Sequence, residues 1–495
     1  MPADGSAPPT QLVYGSESVN TFELTPDGQR VLLLKGSTGL RLWSVPVDGS
    51  APPLELSGPM VAGGSIGGGG EDRIIQSPDG LWVAFVADKE SVDVNELYVV
   101  RVDGSAGPIK LNAPNYLLHS APLDASSAPV ELSGLPVGLV QLVSAYGFSS
   151  GGAAVLFLRH ATGRDELHVV PLDGSSPSVL LSGASQPSGN VTDFRVSADD
   201  EFVVFRGDLL ADERHELFRA ALDGSTARVR VSDPVLGSTT GRSVERDFAL
   251  TPDGLHVVYP ADRDADEVQE LYCGPSDGSA LPLELNPPLE GAAYKDVLDF
   301  ALTPDGEYVV YRSNQDNPAT WELFRVSRSG GQATRLSEPF LPLGAVKGVQ
   351  PGYRITSAGR VVYRSDQAVE HVMRLWSVAA DGSSQALRLE GAQVSGSVLE
   401  FLLRGEGGRV LFRRIVGTRT ELFSVRMDGA WAPIRISPAL DGGRAVGQVS
   451  VSSDGRRVVY VADQEADNVQ ELFLSMHGSG EREQQAPAPS GTVYR

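Results

Sequence analysis

The segment Thr251–Ser279, TPDGLHVVYPADRDADEVQELYCGPSDGS, recurs in variant form along the chain, and this periodicity limits the fold more than any local motif does. Close copies begin at Ser77 (SPDGLWVAFVADKESVDVNELYVVRVDGS) and at Ser452 (SSDGRRVVYVADQEADNVQELFLSMHGS). Each copy reads as a turn, a short β-branched run, an acidic loop, a Leu-aromatic run and a second turn. Turns align at Pro26-Asp27-Gly28, Pro78-Asp79-Gly80, Ser150-Gly151-Gly152, Ala198-Asp199-Asp200, Pro252-Asp253-Gly254, Pro304-Asp305-Gly306, Ala358-Gly359, Glu406-Gly407-Gly408 and Ser453-Asp454-Gly455. A Leu-aromatic pair follows each, from Leu42-Trp43 to Leu472-Phe473, except that the third unit has Leu167-His168. The alignment counts nine units, most of them spaced by roughly 50 residues.

Every unit divides into four strand-sized runs. Strand A precedes the first turn (Arg246–Leu250), strand B is the β-branched run (Val257–Tyr259), strand C holds the Leu-aromatic pair and strand D follows Asp-Gly-Ser (Pro282–Leu285). Short runs of period two, linked by Gly-bearing turns, describe an antiparallel meander. The 55 Gly and 33 Pro belong to those turns, and no long 3.6-residue apolar period marks a helix. Stacking such meanders radially buries both faces of each, which favours a β-propeller over an open solenoid.

Residues 1–477 are therefore expected to form one all-β propeller of about nine four-stranded antiparallel blades. The repeats fall near 19–57, 71–112, 139–182, 190–232, 244–286, 295–337, 347–389, 397–437 and 446–475. The last unit has no clear strand D, and its tail, 478–495, is polar. The run Asp4-Gly5-Ser6-Ala7-Pro8-Pro9 matches Asp48-Gly49-Ser50-Ala51-Pro52-Pro53, so residues 4–14 are expected to complete the last blade and close the ring. Residues 113–132 break the rhythm as an insertion or decayed blade with a duplicated strand D, which leaves counts of eight or ten open.

The units resemble the TolB-like β-propeller repeat: a Ser/Thr-Pro-Asp-Gly turn, a Val-Val-Tyr/Phe strand, and a Leu-Tyr/Trp strand ending in Asp-Gly. The resemblance covers nearly the whole chain and implies a propeller with a central channel, serving protein–protein interaction at bacterial envelopes or surfaces, in the periplasm or outside the cell. The chain departs from TolB in having about nine repeats rather than six and no separate α/β domain. It is also similar to the propeller of prolyl-oligopeptidase-like peptidases, without room for their hydrolase domain.

Composition narrows the partner. A net charge of −22 repels nucleic acid and anionic membrane surfaces and favours a protein or peptide with a basic patch. No run reaches the ~18 apolar residues of a membrane span, and no charged, apolar-cored leader follows Met1, which stands in mid-repeat. The single cysteine, Cys273, excludes an intramolecular disulfide framework and is read as a small buried hydrophobe.

Four features bear on chemistry. Gly147-Phe148-Ser149-Ser150-Gly151 fits the nucleophile-elbow pattern, but it occupies an A–B turn with no helix-forming stretch after it, and is read as a turn. Three B–C loops align in their carboxylates: Asp88, Glu90 and Asp93; Asp262, Asp264 and Asp266; Asp463, Glu465 and Asp467. Alternating carboxylates suit Ca²⁺, although the Gly and Glu of a calcium loop are missing; the competing reading is that the first Asp bonds its own loop backbone and the rest solvate the rim. A Glu precedes the Leu-aromatic pair in seven of nine units, and Arg159, Arg206, Arg312, Arg364 and Arg413 end strand B, so a ladder of cross-strand ion pairs is expected, with Arg374 as an exception. The seven histidines are scattered and form no ligand pair.

The expectation for function is a monomeric, non-enzymatic binding or scaffold propeller with an acidic recognition face built from the D–A and B–C loops. The alternative is a metal-dependent hydrolase or lyase whose site sits at the channel mouth; an enzyme would need one unique convergent cluster where the sequence repeats its own.

Overall fold

The structure, a computed structural model, describes residues 10–476 except 13–18, 37–38, 68–73, 78, 93–95, 111–118, 121–129, 133–142, 162, 174, 184, 186–187, 233–242, 264–267, 290–294, 339–347, 370, 392–395, 404–407, 439–444, 453–454, 456 and 464–470. All named elements are strands, gathered into one two-stranded sheet and nine four-stranded antiparallel sheets, numbered 1–9 from strands A that begin at Val19, Ile74, Val143, Val191, Ala249, Val297, Arg354, Ser397 and Val446. Sheet 4 shows the pattern: strand A is Val191–Val196, B is Phe202–Gly207, C is Glu216–Ala221 and D is Val229–Arg230, hydrogen-bonded in that order. Among the described residues no helix is long and apolar enough to cross a membrane. The architecture is that of a nine-bladed propeller.

Turn chemistry explains the repeat. In the first A–B turn the Thr25 hydroxyl donates to Asp27 Oδ1 (2.6 Å) and accepts from the Arg30 amide (3.0 Å), while the Gln29 amide donates to Asp27 Oδ1 (2.9 Å). Ser77 with Asp79, Thr251 with Asp253 and Thr303 with Asp305 repeat the contact. In the C–D turns Asp48 Oδ1 accepts from the Ser50 amide (2.9 Å), as Asp223 does from Ser225 (2.9 Å). Glycine is needed in the C–D turn for two reasons. Gly224 has φ +70°, and a Cβ there would lie 2.4 Å from Val179 of the preceding outer strand.

Six sheets bury a stacked aromatic pair across strands B and C, at 5.5–5.9 Å between ring centroids, as with Phe85 on Tyr98, Phe205 on Phe218 and Tyr259 on Tyr272. His168 fills the aromatic place in sheet 3, stacking on Phe157 at 5.5 Å. A strand A bulge recurs in six sheets, for instance at Thr192 between Val191 and Asp193, where the inner strand must bend most. Neighbouring sheets share apolar cores, such as Leu156, Leu158 and Val169 of sheet 3 against Val203 and Phe205 of sheet 4.

The N-terminal strand Thr10–Gln11 is strand D of sheet 9, opposite Leu474 and Phe473, as the sequence leads one to expect. Sheet 9 also packs on sheet 1: Val461 and Leu472 share a core with Phe22 and Val31, and an Arg457 Nη1 donates to the Gly28 carbonyl (2.6 Å).

The segment expected as a duplicated strand D proves to be more. His119–Ser120 pairs antiparallel with Val130–Glu131, His119 opposite Glu131 as His168 is opposite Leu180 in sheet 3. Leu118–Leu132 aligns on Leu167–Leu181 without a gap. It is the outer half of a tenth unit, strands C and D, with no strand A or B among the described residues. Its Leu132 is buried against Val155, Phe157 and Val170 of sheet 3.

Candidate functional site

The antiparallel order puts the A–B and C–D turns on one face and the B–C and D–A loops on the other. At the second face the first residue after strand B has a fixed task. Asp88 Oδ1 accepts from the Ser65 amide (2.5 Å), Asp463 from Ala445 (2.6 Å), Asp366 from Gly348 (2.9 Å) and Asn314 from Asp296 (2.7 Å). Asp208 and Asp262 take the amides of Asn190 and Ser243 in the same way. These side chains bond the backbone of the segment entering strand A of the same sheet. Asp208 also takes an amide of its own loop, that of Glu213 (3.2 Å).

Of the nine carboxylates aligned as a calcium motif, Asp88, Glu90, Asp262 and Asp463 are described; Asp93, Asp264, Asp266, Glu465 and Asp467 lie outside the described residues. Glu90 pairs with Lys110 on the adjoining outer strand (3.0 Å). Among the described residues no group of three or more His, Cys, Asp or Glu side chains is placed to hold a metal ion.

The ion-pair ladder exists with different partners from those expected. Glu216, Glu322 and Glu421 meet arginines of strand D: Arg230 at 3.6 Å, Arg335 at 3.1 Å and Arg435 at 3.8 Å. The reason is register. Arg206 stands opposite Leu217 and Arg312 opposite Leu323, one residue out of step with the glutamates, and a one-residue step reverses the face. Only Arg159 among the five is opposite its Glu, Glu166, at 3.0 Å. The other four reach the next sheet instead. Arg206 Nε donates to the Val244 carbonyl (2.7 Å), Arg312 Nη1 to Val349 (3.0 Å), Arg364 Nη1 to Val398 (3.4 Å) and Arg413 Nη1 to Val446 (2.7 Å). Arg312 and Arg413 are also held by the strand A carboxylates Asp299 and Glu400.

Two sheets reverse the polarity and keep the pairing. In sheet 7, Arg374 replaces Glu and lies 3.6 Å from Glu390, which stands where other units have Ser232, Ser337 or Ser437. In sheet 1, Arg41 replaces Glu and Glu55 replaces the strand D Arg, at 3.9 Å. The exception posed by Arg374 is thus a charge swap. The signal was in the sequence, thirteen to sixteen residues downstream of each Arg or Glu, at positions in or just past strand D that an alignment restricted to strands B and C passes over.

Electrostatics follow burial. Desolvation raises the carboxyls of Glu216, Glu322 and Glu390 above the ordinary carboxylate range. Burial also pushes Glu166 up, but hydrogen bonds from Arg159 and His168 outweigh it and hold Glu166 low. Burial lowers His168 and His215, and pushes the thiol of the buried Cys273 up to about 11, far from a reactive thiolate. In the elbow-like segment Ser149 is buried and its hydroxyl accepts from the Ala154 amide (3.2 Å), the part Thr25 plays in sheet 1. Asp200, at φ +59° where other turns have Gly, takes the amides of Ser150 (2.5 Å) and Gly151 (2.8 Å). The segment is a turn. A shallow cavity of about 300 Å³ between the inner strands of sheets 6 and 7 is lined by Asp299, Tyr353 and Arg354 among others. Two of its polar groups are engaged, Asp299 by Arg312 and the Tyr353 hydroxyl by the Val310 carbonyl (3.0 Å).

The ion pairs and caps recur from sheet to sheet, so together they define a repeat protein whose polar residues hold blades to one another. No protein-family model matches the chain, and no curated protein matches it.

Proposed function

We propose that the protein is a non-enzymatic binding or scaffold propeller whose B–C and D–A loop face takes a protein or peptide bearing a basic patch. The observation that carries this reading is the division of labour in those loops. Their first carboxylate or amide is spent on a backbone cap in six sheets. Carboxylates further along, such as Glu90, Asp212, Glu213 and Asp316, are exposed at the rim. A constant frame with variable acidic tips is the pattern of a recognition surface, and the net charge of −22 steers a basic partner toward it. The resemblance of the repeat to TolB-like propellers supports this role and would put it at a bacterial envelope or surface. The test is association with a panel of arginine-rich peptides from low to high ionic strength. Binding that weakens steeply with salt and with Asp212→Asn or Glu213→Gln is expected; binding indifferent to both would refute the reading.

A further inference from the structure

The junction between sheets 6 and 7 departs from the repeat in a way the sequence explains. In sheets 1, 5 and 6 the hydroxyl that opens the A–B turn accepts from the amide five residues on, as Thr303 does from Tyr308 (3.0 Å). In sheet 7 Thr356 accepts from Arg360 (3.0 Å), only four residues on, so this turn is one residue short and lacks the Pro-Asp pair. At three other junctions the turn glycine meets the turn of the preceding sheet. A Cβ on Gly306 would lie 2.7 Å from Pro252, one on Gly80 3.3 Å from Pro26, and one on Gly28 3.0 Å from Ser452. A Cβ on Gly359 would meet nothing within 4 Å.

Strand A of sheet 7 is altered as well. Val349 and Val297 stand opposite Ser365 and Ser313, yet Val349 is one residue further from Thr356 than Val297 is from Thr303. The extra residue falls at Pro351-Gly352, and only Arg354–Ile355 is regular strand. Sheet 5 has the same extra residue, but its full-length turn still reaches sheet 4, where a Cβ on Gly254 would lie 3.6 Å from Phe202. The shortened turn and the kinked strand together leave the cavity of about 300 Å³ between the inner strands of sheets 6 and 7. Its lining, and the turns Thr303–Tyr308 and Thr356–Arg360 beside it, are described throughout.

The floor is apolar: Ala301 of sheet 6 faces Tyr353 and Ile355 of sheet 7 in the core that these sheets share. The Tyr353 ring is fixed by its hydroxyl, which donates to the Val310 carbonyl (3.0 Å). Ala301 leaves room, since Leu402 stands at its register in sheet 8. Of the charges around Tyr353, those of Asp299 and Arg312 cancel, with Arg312 Nε on Asp299 Oδ1 at 2.9 Å. Arg354 is the third. It is exposed, forms no ion pair among the described residues, and gives one hydrogen bond, from Nη1 to the Tyr353 carbonyl (3.0 Å). That Nη1 stands 4.0 Å from where a Cβ on Gly352 would be, so the guanidinium folds back over the kink at the cavity wall.

We propose that this cavity binds a small aromatic monocarboxylate, its ring between Ala301 and the Tyr353–Ile355 wall and its carboxylate on the Arg354 guanidinium. A slot between two sheets admits a flat body, and its volume matches the small end of ligand sites, which run from roughly 300 to 1,000 Å³. A guanidinium fork matches a planar carboxylate in geometry as well as charge. One uncompensated cation calls for one negative charge, and the net −22 of the chain opposes a second. The cavity lies toward the A–B turns, away from the acidic loop face, so the inference stands apart from that reading.

The test is a titration of the full chain with benzoate, followed by saturation transfer to the ligand protons, with benzyl alcohol and terephthalate as comparisons. Expected are saturable binding of benzoate and affinities weaker by about tenfold or more for the alcohol and the dianion. A similar loss is expected in Arg354→Gln, which removes the charge, and in Ala301→Leu, which fills the slot, with melting midpoints not lowered. Absence of saturable binding overturns the proposal, as does binding indifferent to both substitutions or to the loss of the ligand's charge. A lowered midpoint in Ala301→Leu also overturns it, because the slot would then lack the room that the ring needs.

Discussion

Replacing Arg374 by Glu or Glu390 by Ser should each destabilise the protein, while the two changes together should leave it near wild type. Glu390 is fully buried and the Arg374 side chain is 8% exposed, so each is a desolvated charge whose partner matters. Arg374→Glu would set two carboxylates side by side with only Arg388, 3.3 Å from Glu390, to serve both. Breaking a buried pair in this way costs about 3–5 kcal/mol. Glu390→Ser leaves Arg374 facing Arg388 in place of a carboxylate, but Arg374 keeps its bond to the Gly396 carbonyl (2.9 Å), so a smaller loss of about 1–3 kcal/mol is expected. The double variant recreates the arrangement of sheet 6. There Glu322 meets Arg335 at 3.1 Å, and the Ser337 hydroxyl accepts from the Leu323 amide (3.2 Å). Its loss should stay within about 1 kcal/mol, a coupling of at least about 3 kcal/mol between neighbours. Because long repeat arrays can lose two-state cooperativity, the assay is the calorimetric midpoint and enthalpy of all four proteins rather than a single extrapolated free energy. A double variant as unstable as the sum of the singles would refute the charge-swap account, and with it the view that the ladder is conserved in charge rather than in residue.

Three further outcomes are expected. Removing residues 1–14 strips strand D from sheet 9, with the buried Leu12 and the Gln11–Glu471 bond (2.8 Å), and should lower the melting midpoint sharply; an unchanged midpoint would show that the pairing contributes nothing. Turn aspartates such as Asp79, Asp223 and Asp305 are held low by hydrogen bonds from turn residues, so their stabilisation is present above the ordinary carboxylate range and is lost as pH falls through their depressed values. Glu216, Glu322 and Glu390 are raised by burial and act in the opposite sense, favouring the fold as they take up protons, so a melting midpoint that rises or stays level in mild acid and falls only below about pH 4 is expected. Exhaustive chelation followed by millimolar Ca²⁺ should leave the midpoint unmoved, since Asp88, Asp262 and Asp463 are committed to backbone amides; a clear rise would return the B–C loops to the metal reading.

Much of the fold was legible because the repeat carries its own alignment. Turn, strand and Leu-aromatic pair fall in the same order in every unit, and the N-terminal match to Asp48-Gly49-Ser50 pointed to the pairing of Thr10–Gln11 with the last strand C. What escaped was register. Nothing in the one-dimensional pattern shows that Arg206 and Glu216 are one step out of phase, and so on opposite faces, whereas Arg159 and Glu166 are in phase. The half unit escaped for a different reason. Its strand D keeps Pro129-Val130-Glu131-Leu132, but its strand C has Leu118-His119, which a search for Leu-aromatic pairs rejects. The third unit makes the same substitution at Leu167-His168, and comparing the two would have revealed a complete C–D hairpin. Of the loop site, only the first carboxylates were assignable to a task, because a cap needs the position of a partner amide that sequence spacing does not supply.

The distribution of charge bears on the proposed acidic recognition face. A net −22 spread at random would oppose compaction by self-repulsion. Here many carboxylates are paired with a donor that the same repeat supplies: turn amides and hydroxyls for Asp27, Asp79 and Asp253, strand D arginines for Glu322 and Glu421, entering amides for Asp88 and Asp463. The frame is therefore stabilised by its acids. Exposed carboxylates at the loop tips, such as Asp212 and Glu213, are left for a partner to neutralise. Ionic strength tests this, because screening weakens contacts between exposed charges and leaves the buried pairs of the frame intact.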